Sequence, residues 1–204
     1  MKIVALGDSL TVGENEFDLP DSGEYASYPK CLETLAEQHL SSLHSDLEVN
    51  VLNKGVCGDL TIDMLERFSK DVVDEEPDYV IILGGTNDIG WGLEPAKITH
   101  NLTTMYDYAQ NEGIVAVACS LPSILGFDGL IPPRLSLNRM IQMEADKRRL
   151  TFVDFFTATA DSLTNRLSED YSADGLHLNT KGYREMGRCT FDNWLRPLLD
   201  QHAK

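Results

Sequence analysis

Lys2-Ile3-Val4-Ala5-Leu6-Gly7-Asp8-Ser9-Leu10 opens the chain with an apolar run of strand length that ends in a glycine, an acid and a serine. A short apolar run without alternation fits a strand buried on both faces of a parallel sheet. A serine just past the carboxyl end of such a strand stands where open α/β sheets carry their chemistry. Ser9 is useful as a nucleophile only if later segments supply a base, an acid to orient that base and donors for an oxyanion.

Working outward, strand-length runs alternate with helical spacing. Pro29 suits an early helical position, and Cys31, Leu32, Leu35, Ala36, His39 and Leu40 follow at three- and four-residue steps. Residues 47–52 read as a second strand. Asp59 or Thr61 can cap a helix that carries Ile62, Leu65 and Phe68 on one face. Pro77-Asp78 introduces Tyr79-Val80-Ile81-Ile82-Leu83, a third and fully apolar strand. Glu94-Pro95 opens a helix with Ile98, Leu102, Met105, Tyr106 and Ala109 on one face, and Gly113 stops it. Residues 114–119 form a fourth strand, 121–133 a loop punctuated by Pro and Gly, 134–149 a helix and 151–155 a fifth strand. A short helix near 159–167, a loop through 174–177 and a last helix over about 180–199 complete the pattern. Between the first strand and the first helix lies a polar loop at 13–28.

This βαβαβαβαβα alternation, without an internal repeat or a break in composition, predicts one α/β domain over residues 1–204. Its layers are α/β/α around a five-stranded parallel sheet. Right-handed crossovers leave few topologies, and a flavodoxin-like order 2-1-3-4-5 is expected, with its switch point between the first and third strands.

Bulk properties narrow the function. The 204 residues carry a formal net charge of −16. Such a surface repels phosphates, so no nucleic-acid partner is expected. Nothing approaches the roughly 20 consecutive apolar residues of a membrane span, and the N-terminus lacks the pattern of a secretion signal. Cys31, Cys57, Cys119 and Cys189 are scattered without a C-x-x-C pair, so neither a disulfide framework nor a zinc site is suggested. A cytoplasmic protein with reduced thiols, no metal and no cofactor is the expectation. Its partner is a small-molecule substrate, and nothing in the pattern specifies an oligomeric state.

In a parallel sheet, Ser9, Gly58, Asn87 and the pair Asp174 and His177 all follow strands at the same carboxyl edge. Serine attacks poorly until a base takes its proton. His177 is the candidate base. Asp174, three residues earlier, can fold back to hold one ring nitrogen, fix the tautomer and stabilise the imidazolium formed during attack. The backbone N–H groups of Ser9 and Gly58 and the side-chain amide of Asn87 are candidate oxyanion donors. Asp8 and Asp88 read as supports of loop hydrogen bonds. Cys57 reads as a small buried filler. Trp91, Ile124, Leu125, Phe127 and Leu130 are candidates for lining an acyl or alcohol pocket.

Four blocks then carry a family resemblance. Gly7-Asp8-Ser9-Leu10-Thr11-Val12-Gly13 resembles the signature block of the GDSL, or SGNH, hydrolases. Asn53-Lys54-Gly55-Val56-Cys57-Gly58 resembles that family's glycine block. Gly85-Thr86-Asn87-Asp88 is similar to its G-x-N-D block, and Asp174-Gly175-Leu176-His177 to its D-x-x-H block. The resemblance implies that Ser9, Gly58, Asn87 and His177 fill the four name-giving roles, with Asp174 completing a triad. It also implies metal-free hydrolysis of an ester or thioester. The acyl group and alcohol stay open among small acyl esters, acetylated carbohydrate, lysophospholipid and thioester.

Two other classes share the alternation. A non-catalytic ligand-binding module on the same scaffold would not need an intact Ser, His and Asp set. A flavin or receiver domain would have no use for the late Asp174-x-x-His177 block. The G-x-S-x-G elbow of larger α/β-hydrolases is absent.

Overall fold

The computed structural model describes residues 1–13 and 27–202. Most of the polar loop expected at 13–28 therefore lies outside the described residues. Strands β1 (Lys2–Gly7), β2 (Asn50–Gly55), β3 (Tyr79–Leu83), β4 (Val115–Cys119) and β5 (Thr151–Val153) form one parallel sheet in the order β2-β1-β3-β4-β5. This is the expected order. Ile3–Leu6 of β1 and Val80–Leu83 of β3 are buried, as strands covered on both faces must be. Each Ile, Val or Leu side chain among them contributes about 1.5–3 kcal/mol relative to exposure. The two strands that flank the switch point are thus firmly anchored in the core.

Helices cover both faces, giving three layers. The chain supplies α1 (Ser9–Val12), α2 (Tyr28–Ser42), α3 (Thr61–Glu66), α4 (Phe68–Asp71), α5 (Thr86–Gly90), α6 (Pro95–Asn111), α7 (Ile131–Arg148), α8 (Phe155–Thr159), α9 (Thr180–Thr190) and α10 (Arg196–His202). On one side α2 packs against α9, and on the other α6 packs against α3 and α7. Ser27 caps α2 by accepting from the Lys30 N–H at 3.4 Å, with Pro29 in the first turn where its missing donor is harmless. In α6, the expected stripe of Ile98, Leu102, Met105, Tyr106 and Ala109 is buried.

Several local expectations are corrected. The second strand starts at Asn50 because its register on β1 runs from Lys2 opposite Asn50 to Gly7 opposite Gly55. As an edge strand β2 tolerates Asn53 and Lys54, so hydropathy misplaces it. In α3 the inward face is Thr61 and Met64, while Ile62 is exposed. Neither Asp59 nor Thr61 caps this helix; Asp63 reaches back instead and accepts from the Leu60 N–H at 2.9 Å.

The helix expected from residue 134 begins at Ile131 and takes Pro132 and Pro133 into its first turn. β5 ends at Val153 because Asp154 caps α8, accepting from the Thr157 N–H at 3.1 Å. The short helix expected at 159–167 is instead a turn. Asp161 accepts from the N–H groups of Leu163 and Thr164, and an antiparallel bridge joins Ala160 to Leu167. The last helix is interrupted by a π-helical segment over Phe191–Leu195, which buries Phe191, Trp194 and Leu195. Cys57 is exposed, not a buried filler, and all four cysteines are free thiols.

Candidate active site

Ser9 opens the one-turn helix α1 directly after β1. Asp8 fixes that turn: its carboxylate accepts from the Leu10 N–H at 2.9 Å, and its carbonyl accepts from Thr11 and Val12 at 3.0 and 3.1 Å. This cap explains why an acid stands beside the serine. Asp8 is fully buried, and burial pushes its carboxyl up to about 6 against the opposing pull of the Leu10 N–H and Arg134.

The late loop is built as tightly. A bridge joins Ser172 to Leu178, and Asn179 caps α9 by accepting from the Gly182 N–H at 3.0 Å. Between these ties, Asp174 Oδ1 accepts from the N–H groups of Leu176 and His177 at 2.9 and 2.7 Å. Asp174 Oδ2 lies 2.8 Å from His177 Nδ1. Burial tends to raise the Asp174 carboxyl, but the His177 ring and the two backbone N–H groups outweigh it and hold the group below its ordinary value. Gly175 adopts φ +94°, and a Cβ there would meet the Leu125 carbonyl oxygen at 2.5 Å. The same peptide accepts from the Leu125 N–H at 2.8 Å, so the loop after β4 supports the loop that carries His177.

These two constructions meet. His177 Nε2 lies 3.0 Å from Ser9 Oγ across 168 residues of sequence. Ser9, His177 and Asp174 thus form one hydrogen-bonded line. With a proton on Nδ1 facing Asp174, the lone pair of Nε2 faces the serine hydroxyl.

Asn87 lies in the first turn of α5 and donates its side-chain amide to the Asp59 carbonyl at 2.9 Å, which leaves the second amide hydrogen for another acceptor. Gly58 immediately precedes Asp59 in the loop after β2 and takes φ +85°, a conformation that suits glycine. Asp88 performs the support role expected of it: its carboxylate accepts from the Thr61 N–H at 3.0 Å and from the Thr61 hydroxyl at 2.6 Å. The loops after β2 and β3 are in this way cross-tied.

Two arginines had no signal in the sequence. Arg134 is buried within α7 and donates to the Thr86 hydroxyl and the Pro122 carbonyl, each at 3.2 Å. Burial lowers its guanidinium to about 10, opposed by the neighbouring Asp8. Arg67 lies between α3 and α4 and donates to Gly7, Lys54, Asp59 and Asp71. The apolar loop residues divide: Ile124 is buried, whereas Trp91 and Phe127 are 78% and 59% exposed. Ile124 therefore belongs to the core. Among the described residues no group of three or more His, Cys, Asp or Glu side chains is placed to hold a metal ion, and no helix is long and apolar enough to cross a membrane.

Comparison with known proteins agrees with this architecture. The model of the GDSL-like Lipase/Acylhydrolase family matches residues 5–185. An acetylxylan esterase of Geobacillus stearothermophilus is 32% identical over 92% of this chain and 91% of its own length. An uncharacterized lipoprotein of Bacillus subtilis, YqeF, is 39% identical over 62% of this chain, a match that spans about half (51%) of that relative. The crystal structure of a lipase/acylhydrolase from Enterococcus faecalis superposes with a TM-score of 0.71 at 29% identity, covering 94% of this chain and 93% of that one. The chain belongs to the GDSL-like lipase/acylhydrolase family, and it is an enzyme of the GDSL/SGNH esterase type.

Proposed function

We propose that the protein hydrolyses carboxylic esters through an acyl-Ser9 intermediate. The observation that carries this reading is the line from Ser9 Oγ through His177 to Asp174, with contacts of 3.0 and 2.8 Å. Ser9 Oγ attacks the ester carbonyl carbon as its proton passes to His177 Nε2. The carbonyl π electrons move to oxygen, and that oxyanion sits among the Ser9 N–H, the Gly58 N–H and the Asn87 amide. Collapse of the tetrahedral centre breaks the bond to the alcohol, which leaves with the proton from His177. Water then attacks the acyl-Ser9 carbonyl and gives its proton to Nε2. The second collapse releases the acid and returns the proton to Ser9. Asp174 holds the tautomer and stabilises the imidazolium throughout.

For the substrate, we infer a short acyl ester, with acetylated carbohydrate as the leading class. Two facts support this. The Geobacillus relative, named for acetylxylan, aligns over nearly its whole length. In addition Ile124 is buried and Leu125 packs, partly buried, against the hydrophobic core, which withdraws two of the apolar residues expected to line a long acyl pocket.

Hydrolysis of p-nitrophenyl acetate and octanoate and of an acetylated xylo-oligosaccharide, by wild type and Ser9→Ala, tests both statements. Loss of a nucleophile of this kind costs on the order of 10⁴-fold or more in kcat. Equal turnover by the variant refutes the nucleophile. Preference for octanoate over both acetyl substrates refutes the substrate class.

A further inference from the structure

Arg67 stands outside the four family blocks, yet its guanidinium touches two of the three segments that would present an oxyanion donor, those after β1 and β2. Nη2 donates to the Gly7 carbonyl at 2.8 Å, at the end of β1 and two residues before Ser9. Nη1 donates to the Lys54 carbonyl at 2.9 Å, on the strand that leads into Gly58. Nε donates to the Asp59 carboxylate at 2.7 Å, immediately after Gly58. Nη1 also reaches Asp71 on α4 at 2.8 Å. Four of the five N–H donors of the fork are thereby used.

Asp59 links this fork to the remaining donor, because its carbonyl accepts from the Asn87 amide at 2.9 Å. The Arg67 and Asp59 side chains are 15% and 12% exposed, so neither ion is strongly screened by water.

We propose that Arg67, through Asp59, is the positioning residue of the oxyanion hole: it sets the Gly58 peptide and the Asn87 amide relative to Ser9. The inference rests on the role proposed above for those donors. Arg67 touches no reacting atom. It fixes the carbonyl ends of β1 and β2 at one separation and holds Asp59 so that its carbonyl aims the Asn87 amide. A planar fork suits this task because its donors leave in fixed, divergent directions. A lysine ammonium is a point charge that cannot span two carbonyls and a carboxylate at once. Donors are effective only when placed for the oxyanion before it forms, and small misplacements from outside the chemistry can cost about 10²-fold.

The two carboxylates on Arg67 separate positioning from plain stability. Asp59 and Asp71 are comparably buried partners of the same guanidinium, but only Asp59 connects onward to Asn87. The experiment compares Arg67→Lys, Asp59→Ala and Asp71→Ala with wild type, on p-nitrophenyl acetate, well below each melting temperature. Expected for Arg67→Lys and Asp59→Ala is a fall in kcat of about 10²-fold, with KM within about threefold and the midpoint of the pH–kcat profile unchanged. Asp71→Ala should lose stability while keeping kcat within about threefold of wild type. Equal losses in Asp59→Ala and Asp71→Ala would overturn the proposal, as would a kcat near wild type in Arg67→Lys. If Arg67→Lys fails to fold, the Asp59 and Asp71 pair decides alone. An active Ser9→Ala would refute the parent mechanism; an inactive Ser9→Ala beside a fully active Asp59→Ala would refute only the role of Arg67.

Discussion

Replacing Asp174 by Asn separates the chemistry of the site from its architecture. The carboxylate has two jobs on two oxygens. Oδ1 accepts from the N–H groups of Leu176 and His177, and Oδ2 faces His177 Nδ1. An asparagine keeps one carbonyl oxygen with two lone pairs, which can retain both backbone bonds and hence the turn. Its NH₂ group then faces Nδ1, which must become an acceptor. The ring proton moves to Nε2, toward Ser9 Oγ, and the imidazole can no longer take the serine proton. The equivalent change in a serine protease triad leaves geometry intact and lowers kcat about 10⁴-fold. At 1.36 kcal/mol per tenfold this is roughly 5 kcal/mol of transition-state stabilisation. The assay is kcat on p-nitrophenyl acetate beside a thermal melt. The expected result is a loss of about 10⁴-fold with a melting temperature close to wild type. A kcat within about tenfold of wild type would refute the argument that Asp174 sets the tautomer.

Two further predictions follow from the same surroundings. Gly175→Ala places a Cβ 2.5 Å from the Leu125 carbonyl at φ +94°, so the loop carrying His177 must shift; kcat should fall about 10²-fold, and unchanged kcat would show that the loop relaxes without moving the ring. The carboxyl of Asp8 lies at about 6 in the folded protein, raised chiefly by burial from an ordinary 3.8. Because the folded state holds this proton more tightly, the stability it confers is complete below about pH 3.8 and is lost as pH rises through 6. Relative to Asp8→Asn, which cannot ionise there, wild type should lose roughly 2 kcal/mol between pH 4 and pH 7.5. Urea unfolding of both proteins at the two pH values measures the difference, and parallel stability curves would contradict the assignment.

Much of this site was legible because a parallel sheet gathers strand ends. Ser9 follows a recognisable strand and His177 lies in a late loop at the same sheet edge, so the 3.0 Å approach of the two needed only the order 2-1-3-4-5. The supports around this pair were not legible. Arg67 and Arg134 fall in helical stretches where a charged side chain ordinarily reads as solvated. Only the folded chain shows that one spans the ends of β1 and β2 and that the other is buried beneath Thr86. The second strand was misplaced for a related reason: its position is set by pairing with β1, while its own residues Asn53 and Lys54 are polar. The inward face of α3 escaped because Thr61 is buried by its bonds to Asp88, not by its hydropathy.

The nucleophile is tested most directly by trapping it. Wild type, Ser9→Ala and His177→Ala are incubated with a p-nitrophenyl alkylphosphonate, and each adduct is located by intact mass and peptide mapping. The account predicts a single phosphonyl group on Ser9 in wild type, none in Ser9→Ala and much slower labelling in His177→Ala. An ester-hydrolysing wild type that carries its adduct on another residue, or labels equally fast without Ser9, would contradict it.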